Sequence, residues 1–296
     1  MEAVQVPQRI SLATLLVATD FSSCSEIALR YACALARQQQ GKIFLAHVIP
    51  AEPKYPMPAE TVPPEPIWDA SDARVRLERA GTAPELSGVD HETLIQQGEF
   101  WPELERMIAK YDIDLVVVGT HGREGLKKLL LGSAAEQVFR HASCPVLTVG
   151  PHVKPESLEN GRLRRVLYAT DLTASSLHAL PYAMALAERN QAALTLVYVV
   201  SSDVIATEFG PVTLPEQRIE DAREEVRQLL PAGTHAGVVV EMGYPAEVIV
   251  QVARQQDVSL IVMGLHHHSA FVATHLPWTT AHRVVCDAHC PVMTVR

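Results

Sequence analysis

The chain has 296 residues, 48% of them hydrophobic and 20% charged, with a formal net charge of −9 at pH 7. That length suits about two domains of ordinary globular composition, and the acidic balance excludes bulk binding to nucleic acid or anionic membranes, which needs a basic field. No apolar run approaches the roughly 18 residues a membrane helix requires, and the start MEAVQVPQRI lacks the basic and apolar regions of a secretory signal, so a cytoplasmic protein is expected.

Short apolar runs alternate with helix-length amphipathic segments. Leu15–Ala18 reads as a strand, and Asp20-Phe-Ser-Ser leads into a helix with Ile27, Tyr31 and Leu35 at four-residue spacing, closed by Gly41. Ile43–Ile49 is the second strand. The proline-rich stretch Pro50–Pro66 suits neither helix nor central strand and reads as a surface loop. A helix near Trp68–Ala80, a strand near Glu92–Gln96 and a helix over Phe100–Lys110 follow. Leu115–Val118 is nearly all β-branched, as in a parallel strand buried on both faces. A helix near Ala134–His141 and a strand at Val146–Val149 complete the series, which predicts five mainly parallel strands with helices on both faces.

The series then repeats. LLVATDFSSCSEIALRYACALARQQQGKIFLAHV, from Leu15, aligns without a gap with VLYATDLTASSLHALPYAMALAERNQAALTLVYV, from Val166. Asp20 falls on Asp171, Gly98 on Gly243, Gly119 on Gly264, and Cys144-Pro on Cys290-Pro. Between the copies, Pro151–Arg162 has the prolines, glycine and polar residues of an exposed linker, so the domains are expected at residues 1–152 and 161–296. The cysteines Cys24, Cys33, Cys144, Cys286 and Cys290 form no CxxC pair and read as packed thiols without a disulfide framework.

After Leu115–Val118 comes Gly119-Thr-His-Gly122, then a basic stretch, then Gly132-Ser133 opening a helix. Gly119 and Gly122 let the backbone turn tightly and approach a ligand. Gly132 and Ser133 stand at a helix N-terminus, whose amides and dipole favour an anion. Arg123, Lys127 and Lys128 add positive charge, although such residues also serve as a solvated face. Asp20, between strand and helix, suits either a cap or a ligand contact.

Gly119-x2-Gly122-x9-Gly132-Ser133, with Ala18-Thr19-Asp20 after the first strand and His47-Val48 ending the second, resembles the ATP-binding universal stress proteins, and the repeat resembles their tandem members. The resemblance implies two Rossmann-like domains of the adenine nucleotide α-hydrolase type. It implies ATP, or ADP or AMP, with Mg2+, bound in the first copy. Asp20 and Val48 would face the adenine and ribose, and Gly119, Gly122, Gly132, Ser133 and Ala134 would line the ribose and phosphates. Thr19, Val118 and Arg123 are expected in the same nucleotide site. It further implies an intramolecular pseudo-dimer associating through the last strands, Val146–Val149 and Val292–Val295, and a homodimer of chains, with no nucleic-acid or membrane partner.

The second copy departs. His267 replaces Gly122, and, allowing one inserted residue, Trp278 with Thr279 stands where Gly132 and Ser133 stood, in a loop whose Ser269–Pro277 stretch has no Lys or Arg. This copy is expected not to bind ATP in the family's way. Histidines crowd there (His266, His267, His268, His275), and on the last helix His282, Cys286 and His289 lie at i, i+4 and i+7 on one face, a spacing open to a transition metal. Helical geometry alone also puts them together, so no metal ligand is assigned. The function expected is a regulatory or stress-response nucleotide-binding protein. The alternatives are a slow ATPase or phosphoryl-transfer enzyme using His121 or Glu124, and a nucleotide-free scaffold.

Overall fold

The computed structural model describes residues 10–51, 70–120, 131–154, 158, 162–201, 206–207, 210–211, 216–265 and 280–296. It divides into two compact units, Ser11–Val149 and Gly150–Arg296, the latter with Ile10.

In the first unit the order is β1 (Thr14–Ala18), α1 (Ser23–Gln39), β2 (Lys42–Pro50), α2 (Ala70–Gly81), a 3-10 turn (Pro84–Leu86), β3 (Asp90–Gly98), α3 (Phe100–Lys110), β4 (Leu115–Gly119), α4 (Ser133–His141) and β5 (Val146–Val149). The strands lie side by side as β5-β4-β1-β2-β3, every pair parallel. Construction thus starts at β1 and runs outward both ways, leaving a switch point between β1 and β4 where a ligand cleft forms in sheets of this class. Leu15, Leu16, Leu115, Val116 and Val117 are all 0% exposed. Consecutive strand residues point to opposite faces, so both faces of these strands are covered.

Helix α1 begins at Ser22, whose hydroxyl accepts from the Ser25 amide, and buries Ala28, Leu29, Ala32, Leu35 and Ala36. Its left-handed closing residue is Gln40 (φ 51°), one position before the glycine expected there. Pro50, expected in a loop, is the last residue of β2 and pairs with Gly98. Proline is tolerated at a strand end because little of the ladder remains to receive its missing N–H.

The second unit runs β6 (Arg165–Thr170), α5 (Ala174–Leu177), α6 (Leu180–Asn190), β7 (Ala193–Ser201), the antiparallel pair β8 (Ala206–Thr207) and β9 (Gly210–Pro211), α7 (Glu216–Arg227), β10 (Ala236–Gly243), α8 (Pro245–Gln255), β11 (Leu260–Gly264), α9 (Thr280–Asp287) and β12 (Val292–Val295). Its main sheet repeats the first, β10-β7-β6-β11-β12, with parallel pairs. The repeat is broken in one helix. Pro181 stands where the first copy has Arg30. Lacking an N–H and clashing with the preceding turn, proline ends α5 and opens α6 where α1 is continuous. Among the described residues, no helix is long and apolar enough to cross a membrane.

Candidate functional site

The carboxyl ends of β1, β2 and β4 meet where Ala18 stands in register with Ala46 on one side and Val118 on the other. The Thr19 amide adds one more ladder bond to the Ala46 carbonyl (2.9 Å), and the chain then turns sharply into α1. Side chains of the turn satisfy its backbone. The Thr19 hydroxyl accepts from the Phe21 amide at 3.0 Å and lies 3.1 Å from the Ser25 hydroxyl. Asp20 Oδ1 accepts from the Ser22 amide at 3.0 Å, an Asx turn that precedes the helix, whose cap is Ser22 and not Asp20. Phe21 takes a left-handed conformation, φ 64°, rare for an aromatic residue. The neighbouring β2 supplies His47, whose Nδ1 lies 2.7 Å from the Thr19 carbonyl and whose ring centroid lies 4.5 Å from that of Phe21.

Of the other residues expected here, Val48 is half-buried at the end of β2, whereas Val118 is 3% exposed. The Val118 side chain therefore belongs to the core. Gly119 ends β4, but the space its missing Cβ leaves belongs to α1. A Cβ there would stand 2.9 Å from both the Cys24 carbonyl carbon and the Ser25 nitrogen. Packing of the first turn of α1 against β4 requires glycine at this position.

Gly132 has two tasks. As N-cap of α4 it has extended backbone, φ −60° and ψ 152°, and no side chain closes the helix end. Its amide donates to the Thr120 carbonyl at 2.7 Å, and a Cβ at Gly132 would lie 2.8 Å from that same oxygen. This contact ties the start of α4 to the residue that follows β4. Because the Gly132 amide is engaged, the amides left open in the first turn are those of Ser133, Ala134 and Ala135, which have no acceptor among the described residues. Ser133 and Ala134 are exposed. The open amides and the positive end of the helix dipole face the same way, the usual setting for an anion. Glu136, the acid of this turn, is paired with Arg140 at 2.7 Å. Gly122 and Arg123, with His121, Lys127 and Lys128, lie outside the described residues.

The second copy rebuilds the turn after its first strand. The Leu172 amide donates to the Thr170 hydroxyl (3.0 Å), the Thr173 amide to Asp171 Oδ1 (3.1 Å), the Thr170 and Ser176 hydroxyls lie 3.0 Å apart, and Leu172 has φ 65°. A Cβ on Gly264 would lie 2.2 Å from the Ser175 carbonyl oxygen and 2.5 Å from Ser176 Cα. Residues 266–279, with the divergent His267, Trp278 and Thr279 and the histidines His266, His268 and His275, are outside the described residues. His289 falls beyond α9, which ends at Asp287, so the one-face arrangement with His282 and Cys286 does not extend to it. Among the described residues no three His, Cys, Asp or Glu side chains gather as a metal site. No cysteine is disulfide-bonded. Burial pushes the thiols of Cys33, Cys144 and Cys286 up to about 11 and that of Cys290 to about 12, as packed hydrophobes require.

Sequence reasoning missed the Thr–Ser pair of each turn and the His47–Phe21 contact. Thr19 with Ser25 and Thr170 with Ser176 share one spacing in both copies, a signal the gapless alignment already contained.

Comparison with known proteins follows the same division. The model of the universal stress protein family matches residues 12–150 and again 162–296. A universal stress protein of Mycolicibacterium smegmatis is 28% identical over 303 residues, covering 95% of this chain and 96% of its own. One from Methanocaldococcus jannaschii is 30% identical over 141 residues, which is 46% of this chain and 80% of the relative. The crystal structure of a universal stress protein from Archaeoglobus fulgidus covers 96% of both chains with a TM-score of 0.68 at 22% identity, a likeness of fold.

Proposed function

The chain belongs to the universal stress protein family, in tandem, and on that premise we propose that its first copy is a regulatory receptor for ATP, or ADP or AMP, with Mg2+, and that its second copy takes no nucleotide in this way. The observation that carries the reading is the start of α4, where the Gly132 amide is held by the Thr120 carbonyl and the Ser133 and Ala134 amides are left open. In this reading those two amides meet the phosphates, with the Gly122 backbone and Arg123 completing the cradle. Thr19, Asp20 and Val48 border the adenine and ribose, and Val118 and Gly119 contribute backbone. Occupancy would change the surface shown to a partner. Turnover needs a base beside the phosphates, which is the role left to His121 or Glu124. Association of two chains belongs to the same proposal and is read by sedimentation equilibrium.

The test is direct. The purified chain is denatured and the released small molecules are identified by mass spectrometry, before and after incubation with ATP and Mg2+. Adenine nucleotide is expected. A chain that is empty as purified and stays empty with added ATP overturns the proposal.

A further inference from the structure

We propose that His47 is a positioning residue for the nucleoside half of the site, an inference that rests on the nucleotide reading above. A carbonyl oxygen only accepts, so the 2.7 Å contact with the Thr19 carbonyl puts the proton on Nδ1, which donates. The ring also lies 4.5 Å from Phe21. His47 thus grips both sides of Asp20: the carbonyl of the residue before it and the aromatic ring of the residue after it. It is 8% exposed and sits one residue before Val48, near the carboxyl end of β2.

The second copy serves as an internal control. There Tyr198 and Leu172 replace His47 and Phe21, yet the turn closes with the same Thr–Ser pair, the same Asp-accepted amide and φ 65° at Leu172. Folding of the turn therefore does not need the histidine. What His47 adds is a fixed direction for the Asp20 peptide in the copy that carries the glycine loop.

The experiment compares wild type, His47→Leu and His47→Asn by calorimetric titration with ATP and, separately, with adenosine. Asparagine places an amide N–H near the Nδ1 position, whereas leucine fills the space without a donor. His47→Leu is expected to weaken ATP and adenosine alike, by about tenfold, the scale of one buried hydrogen bond. His47→Asn is expected to recover most of that loss. Melting of the unliganded variants monitors folding. Unchanged affinity in a folded His47→Leu chain overturns the inference alone, as does a loss confined to ATP or one that asparagine fails to rescue in a folded chain. A wild-type chain that binds neither ligand overturns this inference and the nucleotide reading together. If His47→Leu does not fold, the second copy has misled and the positioning role is likewise overturned.

Discussion

The two strand-to-helix turns, after β1 and after β6, are built alike although the loops that follow β4 and β11 differ. Thr19, Asp20, Phe21 and Ser25 repeat the hydrogen bonds and the left-handed backbone of Thr170, Asp171, Leu172 and Ser176. Gly119 and Gly264 make room for the same helix turn. The aspartate and the first glycine are thus parts of the scaffold, kept in a copy whose later glycines are gone. Nucleotide competence is to be sought in what differs: Gly122 against His267, Gly132 against Trp278, and the basic stretch present in one loop only.

The largest expected effect comes from carrying the second copy's residue into the first. Gly132→Trp crowds the Thr120 carbonyl, displaces the clamp and fills the space before the Ser133 amide, so ATP affinity is expected to fall by at least about a hundredfold, roughly 3 kcal/mol. Equilibrium dialysis checks this. Next come the scaffold glycines. Gly119→Ala and Gly264→Ala are each expected to cost their own unit about 1–3 kcal/mol of stability by overpacking against backbone, and only Gly119→Ala should also weaken ATP. Hydrogen exchange followed by mass spectrometry separates the units. Asp20→Ala and Asp171→Ala each remove one turn acceptor and should cost about 1 kcal/mol, with a loss of ATP affinity in the first case alone.

The smallest effects are with pH, and they too divide the copies. Cys33 and Cys144 in the first unit are raised from 9.0 to about 11; in the second, Cys286 is raised to about 11, Cys290 to about 12 and Tyr168 from 10.0 to about 12. A raised value means the folded state holds its proton more tightly. The stability this gives is complete below pH 9 and is lost as pH rises through about 11 for Cys33, Cys144 and Cys286 and through about 12 for Cys290 and Tyr168. On the acid side His289 is lowered from 6.5, first by burial and then by Arg254. Its contribution is present above pH 6.5 and is lost as pH falls through the lowered native value, because the unfolded chain takes the proton more readily. Urea titrations at pH 5.5, 8 and 10.5, read by hydrogen exchange, are expected to show the acid flank in Gly150–Arg296 and the alkaline flank in both units.

Much of the fold was legible in the residues. Helix Phe100–Lys110 and strand Val146–Val149 stand where apolar periodicity placed them. Other strands run one residue further, to Thr14, Lys42, Pro50 and Gly119, because ladder bonds are set by the neighbouring strand and not by where apolarity ends. Pro181 was visible, but the gapless alignment with α1 drew attention from its helix-breaking chemistry. The left-handed Phe21 and Leu172 were not legible, since neither is a glycine or asparagine and their neighbours' hydroxyls stabilise the turn. At the site, the helix start at Gly132–Ser133 was legible from glycine placement. The Thr120 clamp was not, because a contact across a loop depends on where β4 and β5 bring the chain.

The central claim, one competent copy beside one that is not, is tested most directly by the number of ATP molecules bound per chain. Calorimetric titration of the intact chain with ATP and Mg2+ is expected to give one site in wild type and none in Gly132→Trp. Two sites per chain, or a single site that survives Gly132→Trp in a folded protein, would contradict the account.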